Sequence, residues 1–211
     1  MLENLCKLNN IPLSKVQMEK FNTYKELIKK WGKRINITSI LDDKGIEVKH
    51  FFDSIIGIKA FEKAEIELKG KEIADVGSGG GFPGIPLAIM VPEAKFYLIE
   101  PRHKRVVFLE QVKRTLNLPN VEIIGKRAEE IKNGKFEILT MRAVEDPENA
   151  VKITENFLKE GAVLCIYRGK EPFEKEIEGF SIKKVNLDLK GVNLSRHFLF
   201  IKKGDKNGSK D

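Results

Sequence analysis

The sequence predicts an α/β fold: a seven-stranded, mostly parallel sheet with an antiparallel terminal hairpin, preceded by an N-terminal helical extension. From residue 71 onward, short apolar runs alternate with stretches of helical periodicity, a pattern that places parallel strands in one sheet. The last two apolar runs follow each other with no room for a helix, which predicts an antiparallel pair. A glycine-rich turn directly after the first run is typical of nucleotide-binding folds.

The N-terminal extension is predicted to consist of two helices that pack on the sheet. Ser14 is a predicted N-cap, and apolar residues then recur at helical spacing as far as Gly32. Residues 35–39 are predicted to be extended or turning. A second helix is predicted over residues 46–60, because its apolar side chains again follow the helical period.

Three regions follow from this pattern: the helical extension over residues 1–69, the main domain over 70–203, and a charged, glycine-containing tail over 204–211 that is predicted to be disordered. Strands are predicted at 73–76, 96–99, 121–124, 136–141, 162–167, 182–189 and 197–202. Helices are predicted near 85–91, 102–116, 128–131, 147–158 and 172–178.

The turn after the first predicted strand carries Gly77, Gly79, Gly80 and Gly81 within five residues. Glycines accept positive φ and let a ligand approach main-chain N–H groups. The second predicted strand ends in Glu100, where such folds hold a ribose through hydrogen bonds to a carboxylate. The alternative is a glycine-rich hairpin with a surface glutamate, which the strand-turn-helix context disfavours.

Composition and charge limit the possible functions. The 211 residues carry a net charge of +7 with a pI near 9.2, and 41% are hydrophobic. No apolar run is long enough to cross a membrane, and two cysteines without metal-binding spacing suit a cytoplasmic protein without a metal. Basic residues cluster at 102–105, 113–114, 126–127 and 168–170, and all four clusters are expected near the cofactor side of the sheet. This clustering favours a nucleic-acid partner over charge that serves solubility alone.

Two levels of resemblance narrow the function. The Asp75-x-Gly-x-Gly-x-Gly loop and the terminal hairpin resemble the class I S-adenosylmethionine methyltransferases. A set of motifs is similar to the small-subunit (16S) rRNA methyltransferase G family, also called glucose-inhibited division protein B. These motifs are Asn36-Ile-Thr-Ser, His50-x-x-Asp-Ser, Asp75-Val-Gly-Ser-Gly-Gly-Gly-Phe-Pro-Gly-Ile-Pro, Lys104-Arg-Val-x-Phe-Leu, Arg127-Ala-Glu-Glu, Arg142-Ala and Arg196-His.

This resemblance implies methyl transfer from S-adenosylmethionine to N7 of a guanine in 16S rRNA of the small ribosomal subunit. The implied cofactor-binding residues are Asp75, Gly77, Ser78, Gly79, Phe82, Glu100, Ala128, Glu129 and Arg142. Arg142 and Arg127 are the candidate catalytic residues, and Arg127, Arg168 and Arg196 are the candidate RNA contacts. Where the family is expected to have Lys-Gly after the fifth strand, this chain has Arg168-Gly169. A monomer is expected.

Simpler interpretations exist for several of these residues. Arg142 could form an ordinary salt bridge, and each of the other arginines could be solvated surface. His50, with Asp53 one helical turn away, is expected to form a buried structural pair. Cys165 lies within a predicted strand, so it is expected to be a buried, inert thiol.

Guanine N7 carries a free lone pair, so a site that methylates it needs no general base. The motif that follows the fourth strand in amino-directed enzymes, Asp/Asn-Pro-Pro-aromatic, is replaced here by Met141-Arg-Ala-Val. Two other functions stay open at this point: an NAD-binding oxidoreductase and a non-catalytic RNA-binding protein on the same fold. The first lacks its catalytic Tyr-x-x-x-Lys, and the second would be expected to lose the glycines or Glu100.

Overall fold

A computed structural model of the chain describes residues 1–32, 34–132, 136–156, 158–169, 173–192 and 195–203. The predicted tail, 204–211, lies outside the described residues. Within the described ranges, no helix is both long and apolar enough to cross a membrane.

Seven strands form one sheet in the order β3-β2-β1-β4-β5-β7-β6. The strands are β1 Glu72–Val76, β2 Lys95–Ile99, β3 Val121–Ile124, β4 Phe136–Arg142, β5 Leu158–Arg168, β6 Phe180–Asp188 and β7 Ser195–Lys203. The first five strands pair in parallel, and β7 lies antiparallel to both β5 and β6. The chain therefore reverses its direction across the sheet between β1 and β4, where folds of this class bind ligands.

The helices lie before and between the strands. They are α1 Leu2–Leu8, α2 Lys15–Gly32, α3 Asp43–Gly45, a π-helix Ile46–Phe52, α4 Asp53–Ile55, α5 Gly57–Ala64, α6 Gly84–Met90, α7 His103–Thr115, a 3₁₀ turn Ala128–Glu130 and α8 Pro147–Thr154. The predicted cap of α2 is confirmed: the Gln17 amide donates to Ser14 Oγ (3.2 Å), and Gln17 Oε1 accepts from the Ser14 amide (2.9 Å).

Two predicted helices differ in extent: the one over 46–60 is a π-helix followed by α4 and α5, and the one over 147–158 ends at Thr154, before β5 begins at Leu158. Two other elements differ in kind. The helix predicted near 172–178 is wrong for the described residues, because 173–177 have no regular secondary structure. Phe173 and Ile177 repeat at helical spacing, yet both pack on the apolar core beside β5, and this packing decides the conformation. Helix α1 was not predicted; its Leu2, Leu5 and Cys6 are buried in the N-terminal core.

Each face of the sheet carries a hydrophobic core. One core joins the N-terminal helices with α6 and α7 over alternate strand residues such as Ile73, Phe96 and Cys165. The other core lies under α8 and takes the intervening residues, among them Ala74 and Leu164. The N-terminal helices therefore share one core with the sheet. Cys165 is buried as expected, and burial raises the pKa of its thiol well above the ordinary value.

Candidate active site at the carboxyl edge of the sheet

The glycine loop leaves β1 and exposes its backbone on one side. Gly77 and Gly79 have φ of +72° and +58°. A Cβ added at Gly77 would meet nothing within 4 Å, and one at Gly79 nothing nearer than 3.7 Å. The Gly77 and Ser78 amides donate to the Ile99 carbonyl at 2.9 and 3.1 Å, which fixes the loop against β2. The loop is thus rigid and has open space where side chains would otherwise stand.

Glu100 closes β2 beside this loop, as the sequence predicted. Its side chain is 3% exposed and accepts hydrogen bonds from the amides of Gly79 and Arg102, both at 2.9 Å. Arg105 Nη1 lies 3.6 Å from the same carboxylate. A carboxylate has about four acceptor positions, so Glu100 retains capacity for further donors.

Asp75 lies behind the loop. Its Oδ2 accepts from the Gly84 amide (3.0 Å) and its Oδ1 from Thr140 Oγ1 (2.9 Å), so it ties the start of α6 to β4. Burial raises the pKa of the Asp75 carboxyl to about 6, although these two hydrogen bonds and Arg142 oppose the shift. The structure assigns Asp75 to bracing the loop, and its contact with a cofactor stays a prediction.

The N-terminal helices hold the loop from its other side. The Phe82 ring stacks on His50, with centroids 4.5 Å apart at 14°, and on Tyr24 at 5.6 Å. The Tyr24 hydroxyl donates to the Gly80 carbonyl. Phe82 is buried between these rings, so its main contacts are with the helical extension. A contact of Phe82 with the cofactor stays a prediction.

Arg142 ends β4 next to β1 and is held by the π-helix. Its Nη1 donates to the Lys49 carbonyl (3.3 Å) and to Asp53 Oδ2 (3.4 Å). Its guanidinium carbon lies 5.0 Å from the Phe82 ring centroid, in cation–π range. Arg142 does form a salt bridge, and the same contacts fix the guanidinium at the strand switch, while its catalytic and cofactor-binding roles stay predictions.

His50 is neutral in this arrangement. Its Nδ1 lies 3.5 Å from Arg142 Nη2, and since arginine can only donate, Nδ1 accepts. The Nε2–H then donates to Thr38 Oγ1 at 2.7 Å. Burial, followed by the charge of Arg142, lowers the pKa of His50 to about 4. Both ring nitrogens are engaged, which leaves the imidazole no free position for proton transfer.

The expected pairing of His50 with Asp53 is wrong. In the described part of the chain, Asp53 instead forms ion pairs with Arg142 and with Arg196 Nε. The side chains of Asp53, Arg142 and Arg196 are 11%, 20% and 17% exposed. Two cations from different strands reach this carboxylate, so tertiary contacts outweigh the local helical spacing on which the prediction relied.

A cavity of about 890 Å³ opens beside Arg142. Its charged lining residues are Lys49, Asp53, Arg142, Glu145, Arg168 and Arg196. Four cations against two carboxylates make it electropositive. Ala143, in its wall, has a φ of +59°, a conformation that costs a residue with a Cβ about 1–3 kcal/mol and is typical of functional sites.

Arg168 lies in this cavity with one donor unused. Its Nη1 donates to the Glu145 carbonyl (3.3 Å), and its guanidinium carbon is 5.7 Å from the Phe173 ring centroid. Among buried side-chain nitrogen and oxygen atoms of the described residues, Arg168 Nε alone lacks a hydrogen-bond partner. A buried N–H without an acceptor is costly, so this site suits a ligand that brings one.

Arg127, Ala128 and Glu129 follow β3 at the edge of the sheet. Arg127 is exposed and does not line the Arg142 cavity. Three strand spacings separate β3 from β4, or roughly 14 Å at about 4.8 Å each. The structure does not bring Arg127 and Arg142 together, so the catalytic role of Arg127 stays a prediction. Ala128 is buried and Glu129 exposed at the same edge.

One basic cluster lies elsewhere. Lys113 and Arg114 occupy the last turn of α7, which runs back from the carboxyl end of β2 toward the start of β3. They therefore lie at the opposite edge of the sheet, and their expected position near the cofactor side is wrong. A helix that follows a parallel strand begins at the carboxyl edge of the sheet and ends at the opposite edge. Basic residues at its end are therefore far from the loops that bind the cofactor.

Comparison with known proteins decides the family. The family model described as rRNA small subunit methyltransferase G, GidB, matches residues 17–198. The chain belongs to this family. It is 35% identical over 191 residues to Ribosomal RNA small subunit methyltransferase G of Desulfitobacterium hafniense, covering 88% of this chain and 77% of the relative. The Aquifex aeolicus protein of the same name is 34% identical over 189 residues, covering 90% and 94%.

Solved structures share the fold of this methyltransferase G family member. A mutant of MtNAS in complex with S-adenosylmethionine matches with a TM-score of 0.61 and 18% identity, over 90% of this chain and 72% of that one. A SAM dependent methyltransferase from Aquifex aeolicus matches with a TM-score of 0.56 and 20% identity, over 84% and 97%. The predicted class I methyltransferase fold is confirmed.

Several residues of the methyltransferase G site were missed by sequence reasoning. Tyr24, Thr38, Lys49 and Thr140 are not among the candidate site residues that the sequence suggests. The motifs beginning at Asn36 and His50 had supported the resemblance, but nothing in their spacing showed that they meet at Arg142. Tertiary contacts bring them together.

Proposed function

We propose that this member of the methyltransferase G family transfers a methyl group from S-adenosylmethionine to N7 of a guanine in 16S rRNA of the small ribosomal subunit. We place the reaction in the cytoplasm, with a monomeric enzyme. The observation that carries the proposal is the meeting of two features at Arg142: the open glycine loop at the end of β1 and the electropositive cavity beside β4.

The residues at the loop fit S-adenosylmethionine. The space over Gly77 and Gly79 is a cradle that a Cβ would fill, and Glu100 has acceptor capacity for the two ribose hydroxyls. Ala128 and Glu129, after the third strand, are assigned to the adenine end. When bound, S-adenosylmethionine supplies an electrophilic methyl group on its sulfonium. The protein aligns the acceptor in line with that group and excludes water.

The cavity suits a guanine with its phosphates. Arginine donors recognise guanine O6 and phosphate oxygens, and Arg142, Arg168 and Arg196 present such donors. The N7 lone pair attacks without prior loss of a proton. The neutral His50, with both nitrogens engaged, is consistent with a reaction that uses no general base.

The RNA track extends beyond the cavity. Exposed basic residues follow the ends of β2 and β3, namely Arg102, His103, Lys104, Lys126 and Arg127. The ends of β3 and β4 lie roughly 14 Å apart, so Arg127 can contact RNA outside the cavity. Arg127 is therefore assigned to an RNA phosphate flanking the target base.

Methyl transfer to small ribosomal subunits tests the proposal. Labelled S-adenosylmethionine is incubated with the protein and with subunits, or their naked rRNA, from cells lacking this methyltransferase. The RNA is then digested to nucleosides. Label in 7-methylguanosine is expected, and Glu100→Ala should reduce it through weaker cofactor binding.

Three outcomes would contradict parts of the proposal. Label in another nucleoside would overturn the N7 assignment. Intact S-adenosylhomocysteine binding without transfer to either RNA would overturn the rRNA substrate. Thermal stabilisation by NAD but not by S-adenosylhomocysteine would favour the oxidoreductase alternative.

A further inference from the structure

Arg105, in the first turn of α7, contacts two segments beside the cofactor loop. Its Nη1 lies 3.6 Å from Glu100 Oε2, and its Nη2 donates to the Asn36 carbonyl at 3.1 Å. The same Nη1 would be 3.7 Å from a Cβ added at Gly79. One guanidinium thus joins the end of β2 to the segment after α2, beside the open space over Gly79.

The segment over residues 35–40, here termed the cover segment, lies on the glycine loop. The buried Ile37 side chain packs so closely that a Cβ on Gly80 would lie 2.5 Å from Ile37 Cγ2. Thr38 Oγ1 accepts from His50 Nε2, and His50 in turn accepts from Arg142. The cover segment therefore packs on the glycine loop through Ile37 and is linked to Arg142 through Thr38 and His50.

Of the three donors around Glu100, Arg105 is the one that a bound cofactor can most easily replace. The amides of Gly79 and Arg102 bind the carboxylate at 2.9 Å, whereas Arg105 is 3.6 Å away and 25% exposed. Ion pairs that water reaches contribute little and are readily replaced. Ribose hydroxyls that bind Glu100 would displace Arg105 from Oε2 and leave both of its terminal nitrogens free for the Asn36 carbonyl.

We propose that Arg105 is a positioning residue that couples cofactor binding at Glu100 to closure of the cover segment, and thereby to RNA binding in the Arg142 cavity. The coupling to RNA rests on the proposed function. Linkage makes the effect reciprocal, so small ribosomal subunits should tighten cofactor binding by the same factor by which the cofactor tightens RNA binding.

Hydrogen exchange of the cover segment tests, without RNA, whether cofactor binding closes this segment. Saturating S-adenosylhomocysteine should slow amide exchange in residues 36–40 at least about fivefold in the unaltered protein, the lower end of usual coupling factors. In Arg105→Met and Arg105→Lys the slowing should be under about twofold. A lysine ammonium keeps the charge but has a single nitrogen, so it has no second nitrogen to move to the Asn36 carbonyl when the cofactor occupies Glu100.

The coupling to RNA binding is measured by the ratio of two S-adenosylhomocysteine dissociation constants, one without and one with small ribosomal subunits. This ratio should be at least about fivefold in the unaltered protein and near one in both Arg105 variants. The matched control is Arg114→Met, which changes the same residue type nine positions along α7, at the opposite edge of the sheet. It should behave as the unaltered protein does.

The outcomes separate this inference from the proposed function. If either Arg105 variant kept both the slowed exchange and the ratio, the coupling role would be overturned. Arg105→Lys decides the matter alone if Arg105→Met fails to melt cooperatively. If the unaltered protein neither methylates subunits nor binds the cofactor more tightly beside them, the proposed function fails, while the exchange measurement still decides the role of Arg105.

Discussion

Replacing Asp53 with Asn removes the charge that holds two arginines at the site. The variant keeps the size of the side chain, but its amide group must face one of the two guanidiniums, Arg142 or Arg196. Removing one partner of a buried pair costs about 3–5 kcal/mol, whereas an exposed pair is worth about 0–1 kcal/mol. With side chains 11–20% exposed, we expect a loss of roughly 2 kcal/mol. For a chain of this size this is a fall in Tm of about 4–8 °C.

The same substitution should separate catalysis from cofactor binding. Arg142 would lose an anchor, and misplacement of such a group by about 1 Å can cost about 100-fold in rate. Asp53 does not touch the glycine loop, so the affinity for S-adenosylhomocysteine should stay within about twofold of that of the unaltered protein.

Calorimetry, methyl transfer to small subunits and cofactor titration measure the three effects of Asp53→Asn. Asp43→Asn is the matched control, since Asp43 lies in the same helical stretch and pairs with Lys29 on the surface. It should leave the rate unchanged. A Tm and a transfer rate for Asp53→Asn equal to those of the unaltered protein would refute the anchoring role.

The pH dependence of stability should contain two opposing contributions. The folded-state pKa of Asp75, about 6, lies above its ordinary 3.8, so its contribution to stability falls by ~3 kcal/mol as pH rises from about 4 to 6. The folded-state pKa of His50, about 4, lies below 6.5, so its contribution rises by a similar ~3 kcal/mol over the same window. Urea unfolding between pH 4 and 7 should therefore show a stability rising with pH in Asp75→Asn and falling in His50→Gln; parallel profiles would contradict the assignment. Gly81→Ala should lose about 3 kcal/mol, because Gly81 has a φ of +93° and its new Cβ would lie 2.6 Å from the Tyr24 hydroxyl. In Gly77→Ala the new Cβ meets open space, so the variant should lose only about 1 kcal/mol of stability, yet it should bind S-adenosylhomocysteine more weakly. Equal losses of stability in the two variants would contradict the assignment of the space over Gly77 to the cofactor.

Much of the fold was predictable because its signals are local. The strand runs, the N-cap at Ser14 and the glycine turn depend on residues close together in sequence, and each was confirmed, although β5 begins four residues before its predicted start. The helix predicted near 172–178 failed because two apolar residues at helical spacing can equally anchor an irregular segment on a core.

The site was predictable only in part. Glu100 follows from strand order, since an acid ending the second strand must lie beside the loop that ends the first. The partners of Asp53 do not follow from spacing, because Arg142 and Arg196 lie on different strands and are 54 positions apart in the sequence. Likewise, the separation of Arg127 from Arg142 depends on the order of strands across the sheet.

The sequence by itself determined the class of fold, the glycine loop with its acid, and the family, because these depend on short motifs in order along the chain. The tertiary structure decided what the motifs at Asn36 and His50 do. It packs them over the glycine loop, ties them to Arg105 and Arg142, and leaves His50 neutral. Contacts, burial and charge at one point in space arise from segments distant in sequence, so no local pattern encodes them.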